Sequence, residues 1–224
     1  MELAKPHLDI GVFTNDLEPM LEFWQQEVGL EFEEMLPTGR GNAQHRHVLN
    51  GSVFKLNHSR ELLPDSGPSG YQHLYIATNA ASVRELEDPE GNLVSLVPRG
   101  WRGVEGIAVD VVVRSIEVSR RYYGETLGFS EVEPGSYRCG DTLLFLREDA
   151  AQPPTGEMRD SGYRYLTAQV RSVDTEYAKI IERGGGEGSP PVTLGEVARI
   201  AFVRDPDGNW LEVSQRASLT GTLS

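Results

Sequence analysis

The sequence predicts an α+β protein made of repeated strand–helix–strand modules in two unequal halves, and three internal repeats predict it. Asp88-Pro89-Glu90-Gly91-Asn92-Leu93-Val94-Ser95 returns as Asp205-Pro206-Asp207-Gly208-Asn209-Trp210-Leu211-Glu212, an offset of 117 (88 to 205). Asp16-Leu17-Glu18, Phe23-Trp24 and Val28-Gly29-Leu30 align without gaps on Ser115-Ile116-Glu117, Tyr122-Tyr123 and Leu127-Gly128-Phe129, an offset of 99 (16 to 115). Gly70-Tyr71-Gln72-His73-Leu74 matches Gly162-Tyr163-Arg164-Tyr165-Leu166.

The first module opens on an apolar strand at residues 7–13, and the third on its counterpart at 107–113. A helix follows each. Asp16 and Ser115 are N-cap types, able to accept from the first free helical N–H groups. Leu17, Met20, Leu21, Phe23, Trp24 and Val28 form an apolar stripe at helical spacing. Gly29 and Gly128 stand where a left-handed C-terminal cap is wanted. Trp24, Tyr122 and Tyr123 read as core. Strands at 44–49 and 52–57 are joined by Asn50-Gly51, a strong two-residue hairpin signal. In that register 46 opposes 55 and 47 opposes 54. His45, His47, Phe54 and Leu56 then share the helix-facing side, and Gln44, Arg46, Lys55 and Asn57 share the other. Strands near 136–139 and 142–147, joined by Gly140-Asp141, are the third module's version.

The second and fourth modules open on the Gly-Tyr strands. From Tyr163 to Asp205 there is room for a helix at 173–182, a stop at Gly184-Gly185-Gly186 and a strand at 197–204. From Tyr71 to Asp88 there is room for a strand and little else, so this module is expected to lack most of its helix and middle strands. In the Asp-Pro-acid-Gly-Asn turn, Pro fixes φ and Gly supplies a positive φ, which delivers the following strand in fixed register. Linkers fall at 59–69, 98–106 and 149–160. The chain divides into a domain at 1–98, a domain at 104–216 and a tail at 217–224.

The 224 residues carry a formal net charge of −13. That balance argues against nucleic acid, whose phosphates need clustered Lys and Arg. No stretch approaches the roughly 20 apolar residues of a membrane span, and residues 1–6 lack a signal-peptide pattern. A single cysteine, Cys139, precludes an internal disulfide and suits a reducing cytoplasm. The expected partner is a small molecule, with a homodimer open through the unpaired edge of the shortened module.

Together the apolar strand, the [Asp/Ser]-[Leu/Ile]-Glu helix ending at Gly, the Gly-Tyr-x-[His/Tyr] strand and the Asp-Pro-[Asp/Glu]-Gly-Asn turn resemble the vicinal oxygen chelate superfamily. That superfamily includes glyoxalase I, extradiol dioxygenases, methylmalonyl-CoA epimerase and the bleomycin and fosfomycin resistance proteins. The resemblance spans nearly the whole chain. It implies βαβββ modules, paired into two glyoxalase-like domains around cavities, the first with a shortened second module. It also implies three or four His or Glu ligands from first and last strands holding a divalent metal (Fe, Mn, Zn or Ni) as Lewis acid.

Carried over residue by residue, the family's ligand positions fall on Asp9 (with His7 two residues earlier) and Lys55, on His73 and Ser95, on Ala108 and Phe145, and on Tyr165 and Glu212. Only His73 and Glu212 match the pattern. His7, His73 and Glu212 have the chemistry of a facial triad, but three modules would have to meet, or swap partners. His73 also reads as a hydrogen-bonded cavity histidine, and Glu212 as a carboxylate paired to a cation.

Asp9, Arg46, Lys55, Asn57 and Tyr165 are the candidate ligand-binding set, since Lys55 and Arg46 can hold a carboxylate, phosphate or enolate oxygen. Lys55, His73 and Glu212 are the candidate catalytic groups. A Lys55–Asp9 ion pair filling a vestigial site is the plainer alternative. The chain thus reads as a lyase, isomerase or dioxygenase acting on a small oxygenated metabolite, or as a non-catalytic binder of the bleomycin-resistance type.

Overall fold

The computed structural model describes every residue but Arg40, Thr222 and Ser224. The first module runs β1 (Leu3–Thr14), α1 (Leu17–Glu22), β2 (Glu31–Gly39), β3 (Asn42–Leu49) and β4 (Ser52–His58). The second has three strands, β5 (Tyr71–Thr78), β6 (Arg84–Glu87) and β7 (Leu93–Pro98). The third has β8 (Ile107–Val113), α2 (Ile116–Arg120), β9 (Ser130–Glu133), β10 (Ser136–Cys139) and β11 (Thr142–Glu148). The fourth has β12 (Gly162–Val170), α3 (Val173–Glu182), β13 (Gly186–Leu194), β14 (Ala198–Arg204) and β15 (Trp210–Arg216). A short helix, α4 (Ala217–Thr220), occupies part of the expected tail; Thr222 and Ser224 of that tail lie outside the described residues.

Modules do not pair within the two halves of the chain, first with second and third with fourth. An eight-stranded sheet of order β13-β14-β15-β12-β1-β4-β3-β2 joins the first module to the fourth. A seven-stranded sheet of order β6-β7-β5-β8-β11-β10-β9 joins the second to the third. Each sheet therefore draws on both sides of the 98–106 linker, which runs from β7 to β8 within one sheet. The 59–69 and 149–161 segments make the crossings between sheets. The swapped arrangement is the one adopted.

On β1 the alternation of side chains separates two environments. Leu8, Ile10 and Val12 are fully buried in the main core with Trp24, while Asp9, Gly11 and Phe13 face the concave side. Trp24 stacks on Phe54 at 4.0 Å, and Tyr122 and Tyr123 are buried as expected. Each of the first two helices widens into a π turn, at Phe23–Glu27 and Arg121–Thr126, before the cap glycines Gly29 (φ 84°) and Gly128 (φ 74°). Ser115 caps α2 through its hydroxyl, but Asp16 makes no side-chain cap; its backbone N–H donates to the Thr14 hydroxyl instead.

The Asp-Pro-acid-Gly-Asn turns do more than reverse the chain. Asp88 Oδ1 accepts from the backbone N–H groups of Glu90 and Asn92, and Asp205 Oδ1 from those of Asp207 and Asn209. The other oxygen reaches the opposite sheet's module: Trp24 Nε1 donates to Asp88 Oδ2 at 3.3 Å, and the Tyr123 hydroxyl to Asp205 Oδ2 at 2.8 Å. Two pseudo-equivalent bonds so pin the sheets together.

The shortened module lacks a helix but keeps β6 as an edge strand. Three of its four residues are charged, Arg84, Glu85 and Glu87. A short charged edge resists strand addition, which disfavours the dimerisation edge expected there. Edge strands β2, β9 and β13 complete the βαβββ pattern that the resemblance implies, although no residue pattern marked them. Among the described residues no helix is long and apolar enough to cross a membrane.

Candidate functional site

The concave face of the eight-stranded sheet encloses a cavity of about 740 Å³. Its floor is set by register. Asp9 on β1 opposes Thr167 on β12, Thr167 lies beside Glu212 on β15, and Lys55 on β4 lies beside Gly11. Four side chains from four strands converge there. Lys55 Nζ donates to Thr167 Oγ1 at 2.6 Å and to Glu212 Oε2 at 2.9 Å, and lies 3.8 Å from Asp9 Oδ2. Thr167 donates onward to Glu212 Oε2 at 2.6 Å. Both bonds fall on Oε2, which leaves Oε1 able to accept from a ligand.

Asp9 is buried, bonded by Lys5 at 2.9 Å and by the Val53 backbone N–H at 2.9 Å. Burial alone would raise its carboxyl, yet the charges of Lys55 and Lys5 hold it below the usual range. Tyr165 projects over Gly11, where any Cβ would collide with its ring. That close approach explains a glycine in the middle of a core strand. The Tyr165 hydroxyl bonds with Gln44 and Asn57, the Lys55 ammonium lies 5.4 Å from its ring centroid, and burial pushes its phenol well up. Asn50-Gly51 makes the two-residue turn (φ 48° and 86°), so Arg46 opposes Lys55 and Gln44 opposes Asn57. The outer face holds His47, bonded to Gln25 at 3.0 Å and lowered to about 4 chiefly by burial.

The structure therefore brings together Asp9, Arg46, Lys55, Asn57, Tyr165 and Glu212, and leaves His7 and His73 elsewhere. A register shift in β1 before Leu8 carries His7 off the cavity face; its ring packs over Gly51, 3.5 Å from Asp141. His73 belongs to the other sheet, where Nε2 pairs with Ser95 Oγ at 2.8 Å and the ring stacks on Tyr75 at 4.3 Å; burial lowers it. The set His7, His73 and Glu212 is thus not assembled. Sequence reasoning passed over Thr167, choosing Tyr165 two residues before it on the same face. It also passed over the buried Gln169, whose Oε1 has no hydrogen-bond partner among the described residues, and over Arg159, Phe202 and Arg216 on the cavity wall.

Among the described residues no three His, Cys, Asp or Glu side chains group to hold a metal. The oxygens of Asp9, Thr167 and Glu212 surround an ammonium, and a second cation there would meet the Lys55 charge at contact distance. These residues do not fit a divalent metal ion.

The opposite sheet has the same floor in register but not in chemistry. Ala108, Phe145, Tyr75 and Ser95 stand where Asp9, Lys55, Thr167 and Glu212 stand. Its concavity is filled: Trp101 stacks on Tyr75 at 5.1 Å, and the Arg102 guanidinium lies 4.1 Å from the Phe145 ring centroid.

Residues 107–213 match the family model described as Glyoxalase/Bleomycin resistance protein/Dioxygenase superfamily. The chain carries a domain of this superfamily. The whole chain is similar in fold to glyoxalase I from Zea mays. One variant of that enzyme aligns at 15% identity with TM-score 0.76, covering 100% of this chain and 96% of that one. The unsubstituted enzyme aligns at 14% and 0.73, covering 93% and 92%. A putative dioxygenase from Bacillus subtilis aligns at 12% identity and 0.68, covering 96% and 86%. At such identities the likeness is one of fold. No curated protein sequence matches the chain.

Proposed function

We propose that this superfamily member is a small-molecule-binding protein, of the sequestering kind exemplified by bleomycin resistance proteins, whose open cavity works without a metal ion. The observation behind this reading is the Lys55 ammonium lying among Asp9, Thr167 and Glu212, where the family resemblance would put a metal. The cavity volume of about 740 Å³ suits a drug-sized organic molecule, since ligand sites run from roughly 300 to 1,000 Å³. Its lining is mixed: Phe13, Leu36, Met158, Ile200 and Phe202 offer an apolar wall, and Gln44, Asn57 and Gln169 offer fixed polar groups.

A second reading is favoured by one feature. Glu212 Oε1 has no hydrogen bond among the described residues, beside an ammonium and a phenol, so a metal-free lyase or isomerase could use Glu212 to accept a substrate proton with Lys55 steadying the resulting oxyanion.

Titration with the uncharged fluorophore N-phenyl-1-naphthylamine in excess EDTA tests the binding reading. One saturable site that disappears in an Ile200→Trp variant, whose new indole fills the cavity, is expected. No saturable binding, or binding that requires added metal, would overturn it.

A further inference from the structure

Building on the small-molecule reading, we propose that the ligand is an organic anion, an apolar body bearing a carboxylate or sulfonate, whose head group displaces Glu34 from between Arg46 and Arg216. The charge of the cavity is the first support. The protein is strongly acidic, at −13, yet the side chains lining the cavity include Arg46, Lys55, Arg159 and Arg216 against a single carboxylate, Glu212. Lys55 and Glu212 pair with each other, and of the three guanidinium groups lining the space Arg46 and Arg216 have their carboxylate partners on β2. Arg159 donates to the Ser59 hydroxyl at 3.2 Å and has no carboxylate within ion-pair distance among the described residues. An excess of cations among the side chains lining a cleft, in a protein that is acidic overall, concentrates an anionic ligand there.

Glu34 supplies the second support, because its carboxylate marks where an anion sits. It stands on β2, at the outer edge of one arm of the sheet, and reaches across to the other arm. One oxygen, Oε1, lies 3.1 Å from Arg46 Nε and 3.8 Å from Arg216 Nη2. The Glu34 side chain is 43% exposed, whereas that of Arg46 is 6% exposed. A buried cation needs a counter-charge, and Glu33 at 3.4 Å and Glu34 supply it. They do not supply a good hydrogen bond: Arg46 Nε is buried with no aligned acceptor. A buried donor left in that condition favours a better-placed oxygen. An incoming carboxylate or sulfonate offers one, bidentately in the guanidinium plane, while solvent takes Glu34. Phe202, Ile200 and Leu36 then cover the apolar body.

The test compares two probes sharing one aromatic body: 1-anilinonaphthalene-8-sulfonate, which is anionic, and N-phenyl-1-naphthylamine, which is neutral. Both are titrated by fluorescence against the full-length protein, with Ile200→Trp defining the cavity component. The anion should bind about tenfold tighter than the neutral probe, the size expected of one charge-assisted contact. Arg216→Gln should bring the anion down to the neutral probe's affinity, the ratio of the two dissociation constants in the variant being the readout. Glu34→Gln, at an exposed position, should tighten the anion several-fold by removing its competitor. It also keeps the test decisive if Arg216→Gln fails to fold, as judged by circular dichroism. Equal affinity for the two probes, or a Glu34→Gln variant with unchanged or weakened anion binding, overturns the anion assignment while leaving the small-molecule reading intact. Failure of both probes to bind overturns both.

Discussion

Two concave faces with one backbone plan have been filled in opposite ways. In the seven-stranded sheet the floor positions hold Ala108, Phe145, Tyr75 and Ser95, and the 99–106 loop folds Trp101 and Arg102 over them. In the eight-stranded sheet the same positions hold Asp9, Lys55, Thr167 and Glu212 beneath open space. The first arrangement is what fold stability alone favours, an apolar cluster closed by an aromatic. The second is costly, because buried ion pairs seldom repay their desolvation and apolar replacements are often more stable. A duplicated scaffold that closes one cavity with a loop and keeps the other charged and empty of side chains points to binding at the charged one.

The largest expected effect attacks the charged floor. Lys55→Ala leaves Glu212 without a cation and Asp9 with Lys5 alone, and urea unfolding should show a loss of about 3–5 kcal/mol. A loss below about 1 kcal/mol would put the pair in the class of exposed ion pairs and erase the contrast between the sheets. Next comes the plug. Trp101→Ala should cost about 2–3 kcal/mol, less than a fully buried tryptophan because Trp101 is partly exposed. It should also open a second site for the neutral fluorophore, raising the stoichiometry from one to two. Unchanged stoichiometry would show that the loop is not what closes that cavity.

The two turn aspartates make a finer comparison. Asp205→Ala removes the acceptor for the buried Tyr123 hydroxyl and for two backbone N–H groups, and Asp88→Ala removes the longer bond from Trp24. Thermal melts should show both destabilised by about 1–3 kcal/mol, with Asp205→Ala the worse. Smallest is the pH effect. Burial chiefly lowers His47, to about 4, and His73 as well, from their usual 6.5. A histidine held neutral by folding loses stability as pH falls below 6.5, because the unfolded chain takes up its proton first. Urea midpoints should therefore drop from pH 7 toward pH 4, and His47→Asn should flatten that slope more than His73→Asn. Equal flattening would mean the two histidines are equally desolvated.

Much of the fold was legible because its signals are local. The Asn50-Gly51 turn fixed the face on which Arg46, Lys55 and Asn57 lie, and the Asp-Pro-acid-Gly-Asn repeat located the last strand of each half. What was not legible is pairing between distant segments. Identical modules have identical apolar faces, so alternation alone does not say that β1 lies beside β12 rather than β5. The two longest linkers, at 59–69 and 149–160, were the available signal that the chain crosses between sheets there. The Lys55–Glu212 bond joins residues 157 apart, and only the swapped pairing brings them together. Thr167 was missed because the Gly-Tyr-x-[His/Tyr] match pointed to Tyr165, while period 2 puts both on one face. Edge strands β2 and β13 carry mixed, exposed residues, including Pro190 and Pro191 in β13, and so lack the apolar pattern that marks a strand.

Metal content of the wild-type protein, purified without chelator and dialysed against Fe, Mn, Zn and Ni in turn, tests the central claim most directly. An ammonium in the metal's place predicts no retained metal and no change in melting temperature with any of the four ions. One equivalent of metal per chain, lost in Glu212→Ala, would contradict it.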